Sequence, residues 1–477
     1  MNITMVLDMV ASAGDRAVVT AGGRSLTAAE LSDRARAAAR TFRRHEAVLY
    51  VSANHLAYPV ALFGAALAGV PFIPLNYRLG EHQLSRLLAR HPGALVLRPD
   101  DLDALLELEQ LVDDDELTAP QDPDAVAVVL YTSGTTAEPK AALLRHRHLL
   151  AYVLNTQEFG SAEEGDAALV AVPPYHVAGL MNLLTNLYTG RRLVYLPAFG
   201  AGEWLATVRR EGVTHALVVP TMLARIVAEV PGAAADTPTL RSLAYGGSRT
   251  PRPVVERALT VFPTTGFVNA YGLTETASSV AVLGPDDHRE ALAADDPAVR
   301  ERLSSVGRAL PGVELEIRDA DGTPLPAGAT GLVFVRGAQI SGEYGGRSAL
   351  DADGWFPTRD RGRLDADGYL FVEGRADDTI IRGGENIAPA EIEDVLLAHP
   401  GITEAAVIGV PDPEWGQRIV AVVVGDGDPA EVRQWVKDRL RTSKTPDTVV
   451  FRTELPKTET GKLLRRTLVA DLESSHA

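Results

Sequence analysis

The chain has 477 residues, 46% of them hydrophobic and 23% charged, with a formal net charge of -17. That length exceeds one ordinary core, so two or more globular domains are expected. The acidity argues against general binding to nucleic acid or anionic membranes, and the absence of cysteine excludes disulfides, a cysteine nucleophile and a thiolate metal site, so any thiol must arrive with a substrate.

The N-terminus lacks a basic stretch followed by an apolar core and cleavage site, so a cytoplasmic protein is expected. Residues 58–75 are almost wholly apolar but are interrupted by Gly64, Gly69, Pro71 and Pro74. They read as a buried helix, a turn at Gly69 and a short strand, with no membrane span. Short apolar runs at 47–52, 94–97, 125–130, 168–172, 192–196 and 216–219 alternate with helical patterns, the rhythm of α/β units with largely parallel sheets. The acidic run at 113–116 reads as a solvated loop. After Val306, β-branched runs at 312–319 and 331–336 with turn residues between them predict a small antiparallel β subdomain. The Asp-Ala-Asp-Gly segments at Asp351 and Asp365 lack the spacing and terminal Glu of a calcium loop and read as turns. From Asp378 onward a separate unit is expected, with helices at 389–398 and 429–440 and strands at 403–410 and 419–424.

The segment from Tyr131 to Lys140 follows an apolar strand and brings together Thr132, Ser133, Gly134, Thr135, Thr136 and Lys140. Small hydroxylated residues leave backbone N–H groups free to approach an anion, so the loop suits a polyphosphate, although it lacks the spacing of the common phosphate loop. Taken alone it is equally an ordinary polar loop. Five further segments follow in order: Tyr271-Gly272-Leu273-Thr274-Glu275, Gly354-Trp355-Phe356-Pro357-Thr358-Arg359-Asp360, Gly374-Arg375-Ala376-Asp377, Arg382-Gly383-Gly384-Glu385-Asn386, and Pro456-Lys457-Thr458-Glu459-Thr460-Gly461-Lys462. In this order and spacing the chain resembles, over nearly its whole length, the adenylate-forming superfamily, which includes acyl- and aryl-CoA synthetases, peptide-synthetase adenylation domains and luciferases.

The resemblance implies a large N-terminal domain over 1–376 and a small α+β domain over 377–477 that rotates about a hinge at Asp377. The large domain would hold two α/β sheets and a small β-barrel-like subdomain. The implied chemistry uses ATP and Mg²⁺ to turn a small-molecule carboxylic acid into an acyl-adenylate, then transfers the acyl group to the thiol of CoA. The Thr132–Lys140 loop would clamp the leaving pyrophosphate, Glu275 would be the Mg²⁺ ligand, and Thr274 would contact phosphate. Tyr271 would stack on adenine beside Gly272, Asp360 would bind the ribose hydroxyls, and Arg375 would add a donor. Lys462 would be the catalytic lysine. After rotation, Gly383 and Gly384 would let backbone approach a pantetheine arm. His176 would line the carboxylate site with Val177, Tyr245, Gly246, Gly247, Ala270 and Ala277 as further walls. The absence of an Asp at the position associated with α-amino recognition points away from amino acids. Relatives in this superfamily often dimerise, so a homodimer is one expectation.

Two positions depart from the pattern. Ala137 and Ala141 stand where the loop usually has Gly, and a positive φ at Ala137 would cost about 1 kcal/mol. Other acceptors remain open: a carrier-protein phosphopantetheine, or nitrite as in diazotising relatives. A non-catalytic nucleotide- or acyl-binding protein is the rival from another class. Segment 74–79 and the Gly-Gly-Glu-Asn-Ile sequence favour the CoA-ligase branch.

Overall fold

A computed structural model describes the chain except for residues 109–121, 133–138, 233, 383–384, 413, 459–460 and 475–477. The acidic run at 113–116 therefore lies outside the described residues. Of the phosphate-loop candidates, so do Ser133, Gly134, Thr135, Thr136 and Ala137, and the pair Gly383 and Gly384 does as well.

Two large sheets form the body of the N-terminal part. In the nine-stranded sheet the central strands Ala167–Val170, His215–Val218, Ser242–Gly246 and Gly266–Leu273 run parallel, and antiparallel strands close both edges. One edge is the hairpin Ala17–Ala21 and Arg24–Thr27, turned by Gly22 and Gly23 at φ 56° and 79°, values that favour glycine. The seven-stranded sheet pairs Val48–Tyr50, Phe72–Pro74, Leu95–Leu97 and Val126–Thr132 in parallel, then adds Lys140–Arg145 and Glu343–Tyr344 antiparallel. The segment 58–75 folds as its pattern predicts: the helix Ala57–Ala68, Gly69 at φ 74° as its left-handed cap, then the strand Phe72–Pro74. That helix is apolar all round because it is buried all round, in the largest core. Gly64 is required there, since a Cβ would meet Ala38 and Phe42 of the neighbouring helix at 3.0 Å.

The β subdomain is a four-stranded antiparallel sheet, Val313–Arg318, Gly331–Gly337, Phe356–Leu364 and Leu370–Arg375. The Asp351 and Asp365 segments are turns. Asp351 Oδ1 accepts from the N–H groups of Asp353 and Trp355 at 3.0 and 2.8 Å, and Asp365 Oδ1 from those of Asp367 and Tyr369 at 2.9 Å each. The C-terminal unit has its own core around a three-stranded sheet, Ile402–Asp412, Gly416–Gly425 and Thr448–Arg452, flanked by the helices Pro389–Leu397 and Pro429–Lys437. No helix among the described residues is long and apolar enough to cross a membrane.

Candidate active site

A cavity of about 770 Å³ opens where the carboxyl ends of the central parallel strands meet the β subdomain and the C-terminal unit. Side chains alternate faces along each strand, and register partners in neighbouring strands share a face. Leu217 pairs with Ala244 and Val218 with Tyr245, while Gly246 pairs with Ala270. Leu217, Val219, Gly246 and Ala270 consequently line the cavity, and Val218 and Tyr245 point the other way. Gly246 has no alternative: a Cβ there would lie 2.1 Å from the Ala270 carbonyl oxygen. Val172, His176 and Val177 complete this wall at the start of the helix Val177–Thr189. The His176 ring rests on Tyr175 with centroids 4.5 Å apart, and burial pushes its imidazole down to about 4, so it is neutral at physiological pH.

The opposite wall carries the charge. Thr132 and Lys140 face each other across the last described register pair of two antiparallel strands, and both line the cavity. Thr274 and Glu275 lie in a short helical turn after the strand Gly266–Leu273, and both line the cavity. Tyr344 donates a hydrogen bond to Glu275 Oε1 while the Lys140 ammonium sits 5.7 Å from the centre of its ring. Burial, then the Glu275 carboxylate, hold the Tyr344 phenol above its ordinary range. Tyr344 thereby links Lys140 to Glu275. The sequence reading missed it, and the only signal was a Tyr in the turn-rich stretch Ser341-Gly342-Glu343-Tyr344-Gly345.

Asp360 and Arg375 are register partners in adjacent strands, with Arg375 Nε 3.1 Å from Asp360 Oδ1. Tyr271 donates its hydroxyl to Asp360 Oδ2 at 2.6 Å, and Arg375 also donates to the Thr358 carbonyl at 2.8 Å. Burial raises the Asp360 carboxyl above its usual range, opposed by Arg375, Tyr271 and Lys462. Lys462 enters from the C-terminal unit on a tight turn: Lys462 N–H donates to Thr458 Oγ1 at 3.0 Å, and Thr458 N–H donates to the Lys462 carbonyl at 2.7 Å. Its ammonium is lowered below the ordinary lysine value by burial and Arg375, while Asp360, Asp378 and Glu275 pull it back up. Gly461, at φ 77°, presses on Thr221 at the first turn of the helix Pro220–Glu229. Arg249 of the large domain donates to the Ala390 carbonyl at 3.0 Å and pairs with Asp394, a second contact between the two units.

Two expectations need correction. Tyr245 is fully buried and is no wall of the cavity; its hydroxyl donates to His288 Nε2 at 2.8 Å, while His288 Nδ1 donates to the Gly284 carbonyl at 2.7 Å. Strand alternation is the reason. Ala277 is also fully buried, because at φ 53° it turns the chain so that Ser278 and Ser279 reach the cavity instead. Tyr271, half-buried, packs in part on the β-subdomain core and positions Asp360 through its hydroxyl. Of the two departures from the glycine pattern, Ala141 lies within an ordinary strand, paired with Tyr131, and carries no strain. Tyr245→Phe is expected to lower stability by about 1–3 kcal/mol, because His288 loses its partner, while adenylation is unchanged. Denaturant unfolding and pyrophosphate release measure the two effects.

A family model described as "AMP-binding enzyme" matches residues 8–344, and one described as "AMP-binding enzyme C-terminal domain" matches residues 391–462. The chain belongs to the AMP-binding enzyme family. Within it, this AMP-binding enzyme sits in the acyl- and aryl-CoA synthetase branch of AMP-forming ligases. It is 36% identical over 471 residues to a feruloyl-CoA synthase of Amycolatopsis sp, covering 93% of each chain. It is 33% identical to the fatty acid–acyl-carrier-protein ligase ScoC of Streptomyces coeruleorubidus, covering 88% of this chain and 86% of that one. Among solved structures, ATP-bound MatB from Rhodopseudomonas palustris superimposes with a TM-score of 0.88 at 25% identity over 100% of both chains. Apo MatB from the same organism gives 0.77 at 26% identity, again over 100% of both chains.

Proposed function

We propose that this AMP-binding enzyme activates a carboxylic acid with ATP and passes the acyl group to CoA, using one cavity for both steps. In the first step the carboxylate attacks the α-phosphorus of ATP, giving acyl-AMP and pyrophosphate. In the second the CoA thiol attacks the acyl carbon and AMP leaves. The observation that carries the reading is the delivery of Lys462, from the C-terminal unit, into a cavity that also presents Arg375, Glu275 and the Thr132–Lys140 hairpin. Lys462 places positive charge where negative charge develops on the transferring phosphoryl. Thr132, Lys140 and Thr274 hold the phosphates that leave. Asp360 accepts from the ribose hydroxyls; Tyr271 and Arg375 each occupy one of its oxygens and leave a lone pair on each. His176, neutral, bounds the carboxylate site.

Among the described residues no three His, Cys, Asp or Glu side chains gather as a metal cage. Mg²⁺ is commonly held by one or two carboxylates together with substrate phosphates, and Glu275 supplies one such oxygen donor beside the phosphate hairpin. The ion would neutralise phosphate charge there. The domains divide at 376/377, and Asp377, which is exposed, is the hinge. Rotation about it withdraws Lys462 and brings in the hairpin Ile380–Arg382 and Glu385–Ile387, whose Arg382 is held by Asp447 at 2.7 Å. The higher TM-score to ATP-bound than to apo MatB, 0.88 against 0.77, supports reading the present arrangement as that of the first step.

The test is mass spectrometry after incubation with ATP, Mg²⁺, CoA and pooled acids, amino-substituted ones with nitrite included. An acyl-CoA mass appearing with AMP is expected. AMP without a CoA thioester moves the acceptor to a carrier protein, as the likeness to ScoC would favour, or to nitrite. ATP binding without AMP under every acid overturns the catalytic reading. A pH prediction follows from Lys462. Its ammonium is the active form and is lost as pH rises through a pKa held below the ordinary lysine value, so adenylation is expected to fall on the alkaline side earlier than free lysine would titrate. Thioester formation from supplied acyl-AMP is expected to lack that limb, and pH profiles of the two half-reactions check it.

A further inference from the structure

The cavity is divided by charge. At its strand-end wall the described side chains that could meet the body of the acid are Val172, Val177, Ala178, Leu217, Val219 and Ala270, with Gly246 and Gly247 presenting backbone between them. Ser278 and Ser279 add hydroxyls. No lysine, arginine, aspartate or glutamate is among the described residues from these strand ends that line the cavity. The charged residues of the cavity come from the hairpin, the turn at Glu275, the β subdomain and the C-terminal unit: Lys140, Glu275, Arg359, Arg375, Asp378 and Lys462 are examples. His176, between the two walls, is neutral because burial lowers its imidazole.

Resting on the reading that this cavity adenylates an acid, we propose that the substrate carries a single carboxylate on an uncharged, apolar body. The one carboxylate lies toward His176 and the cationic wall, where its attack on ATP needs it. A second carboxylate, a sulfonate or an ammonium on the body would be taken from water into a surface of valine, leucine, alanine and glycine with no counter-charge. Burying an unpaired ion is far more costly than burying the same group neutral. The neutral members of the acid class therefore fit, and dicarboxylates, sulfonates and amino acids do not. Row by row this follows from the register: Leu217 and Val219 share a face with the Gly246–Ala270 pair, and none of the four can supply a charge.

The experiment uses non-hydrolysable acyl-adenylate mimics, acylsulfamoyl adenosines, titrated calorimetrically into the full-length protein. A cinnamoyl mimic is compared with its 4-carboxy derivative and with the 4-methoxycarbonyl ester, which is larger but neutral; an octanoyl and ω-carboxy-octanoyl pair repeats the test in aliphatic form. The carboxylated mimics are expected to bind more weakly than their neutral parents by about a hundredfold or more, with the ester within about tenfold of its parent. Carboxylated mimics binding as tightly as the parents overturn the proposal, and so does an ester that loses as much affinity as the carboxylate, since size and not charge would then decide. No thiol enters the measurement. A failure to form CoA thioesters therefore leaves this inference standing, and CoA thioesters formed preferentially from dicarboxylates sink it while the ligase reading survives.

Discussion

Lys462→Ala is expected to lower acid-dependent pyrophosphate release by at least about a hundredfold, the scale of removing a positioned electrostatic donor from a transition state. It is expected to leave thioester formation from supplied acyl-AMP within a fewfold of the unaltered protein. Among the described residues Lys462 makes no ion pair within the C-terminal unit: its backbone closes the Thr458 turn and its side chain lines the cavity. Stability should accordingly be unchanged or slightly raised, because a partly desolvated ammonium is removed. Rapid-quench assays of each half-reaction, with thermal melts alongside, decide the matter. Equal loss of both half-reactions would mean that Lys462 acts in both domain orientations and that no exchange of catalytic groups occurs.

Gly461→Ala is expected to imitate that loss without touching the lysine. A Cβ on Gly461 would lie 2.2 Å from Thr221 Cγ2 and 2.7 Å from Thr221 Oγ1, and the short branched Thr side chain cannot swing clear. The positive φ of 77° adds strain, but wherever the turn keeps its shape that strain falls on both domain orientations and cancels between them. The clash falls only on the docked one. Overpacking of about 1–3 kcal/mol corresponds to a shift of roughly 5- to 150-fold away from the docked arrangement. Adenylation should fall by a factor in that range while thioester formation from acyl-AMP is spared. Adding Thr221→Ala leaves only the Cβ, 3.0 Å away, and should restore most of the rate. If the second substitution restores nothing, the turn itself and not its seat on Thr221 was damaged.

Much of this molecule was legible from one dimension because its signals are local. The apolar run that becomes the helix Ala57–Ala68 and the strand Phe72–Pro74 carries its own punctuation in Gly69 and Pro71. The alternating runs that become the parallel strands, and the Asp-Ala-Asp-Gly turns closed by their own carboxylates, are equally local. The ordered motifs around Thr132, Glu275, Asp360, Arg375 and Lys462 announced an adenylate-forming site, and the residues among them that reach the cavity come from four separate parts of the fold.

Tertiary structure alone decided which neighbours of those motifs face the chemistry. Tyr245 and Gly246 are adjacent in sequence and opposite in the sheet, because successive strand residues alternate faces and only the register with Ala270 says which face is the cavity. Tyr271 gains a partner that only the fold shows: the strand Phe356–Leu364 places Asp360 against its hydroxyl, 89 residues away in the chain. Tyr344 has no motif of its own and is placed by pairing with the strand Lys140–Arg145 and reaching Glu275. The sequence by itself determined the class of reaction, because its motifs sit in short segments whose order is informative. The shape and neutrality of the cavity's strand-end wall, the linkage of Tyr344 to Glu275 and the seat of Gly461 on Thr221 were decided by long-range packing, which brings together residues that no local pattern connects.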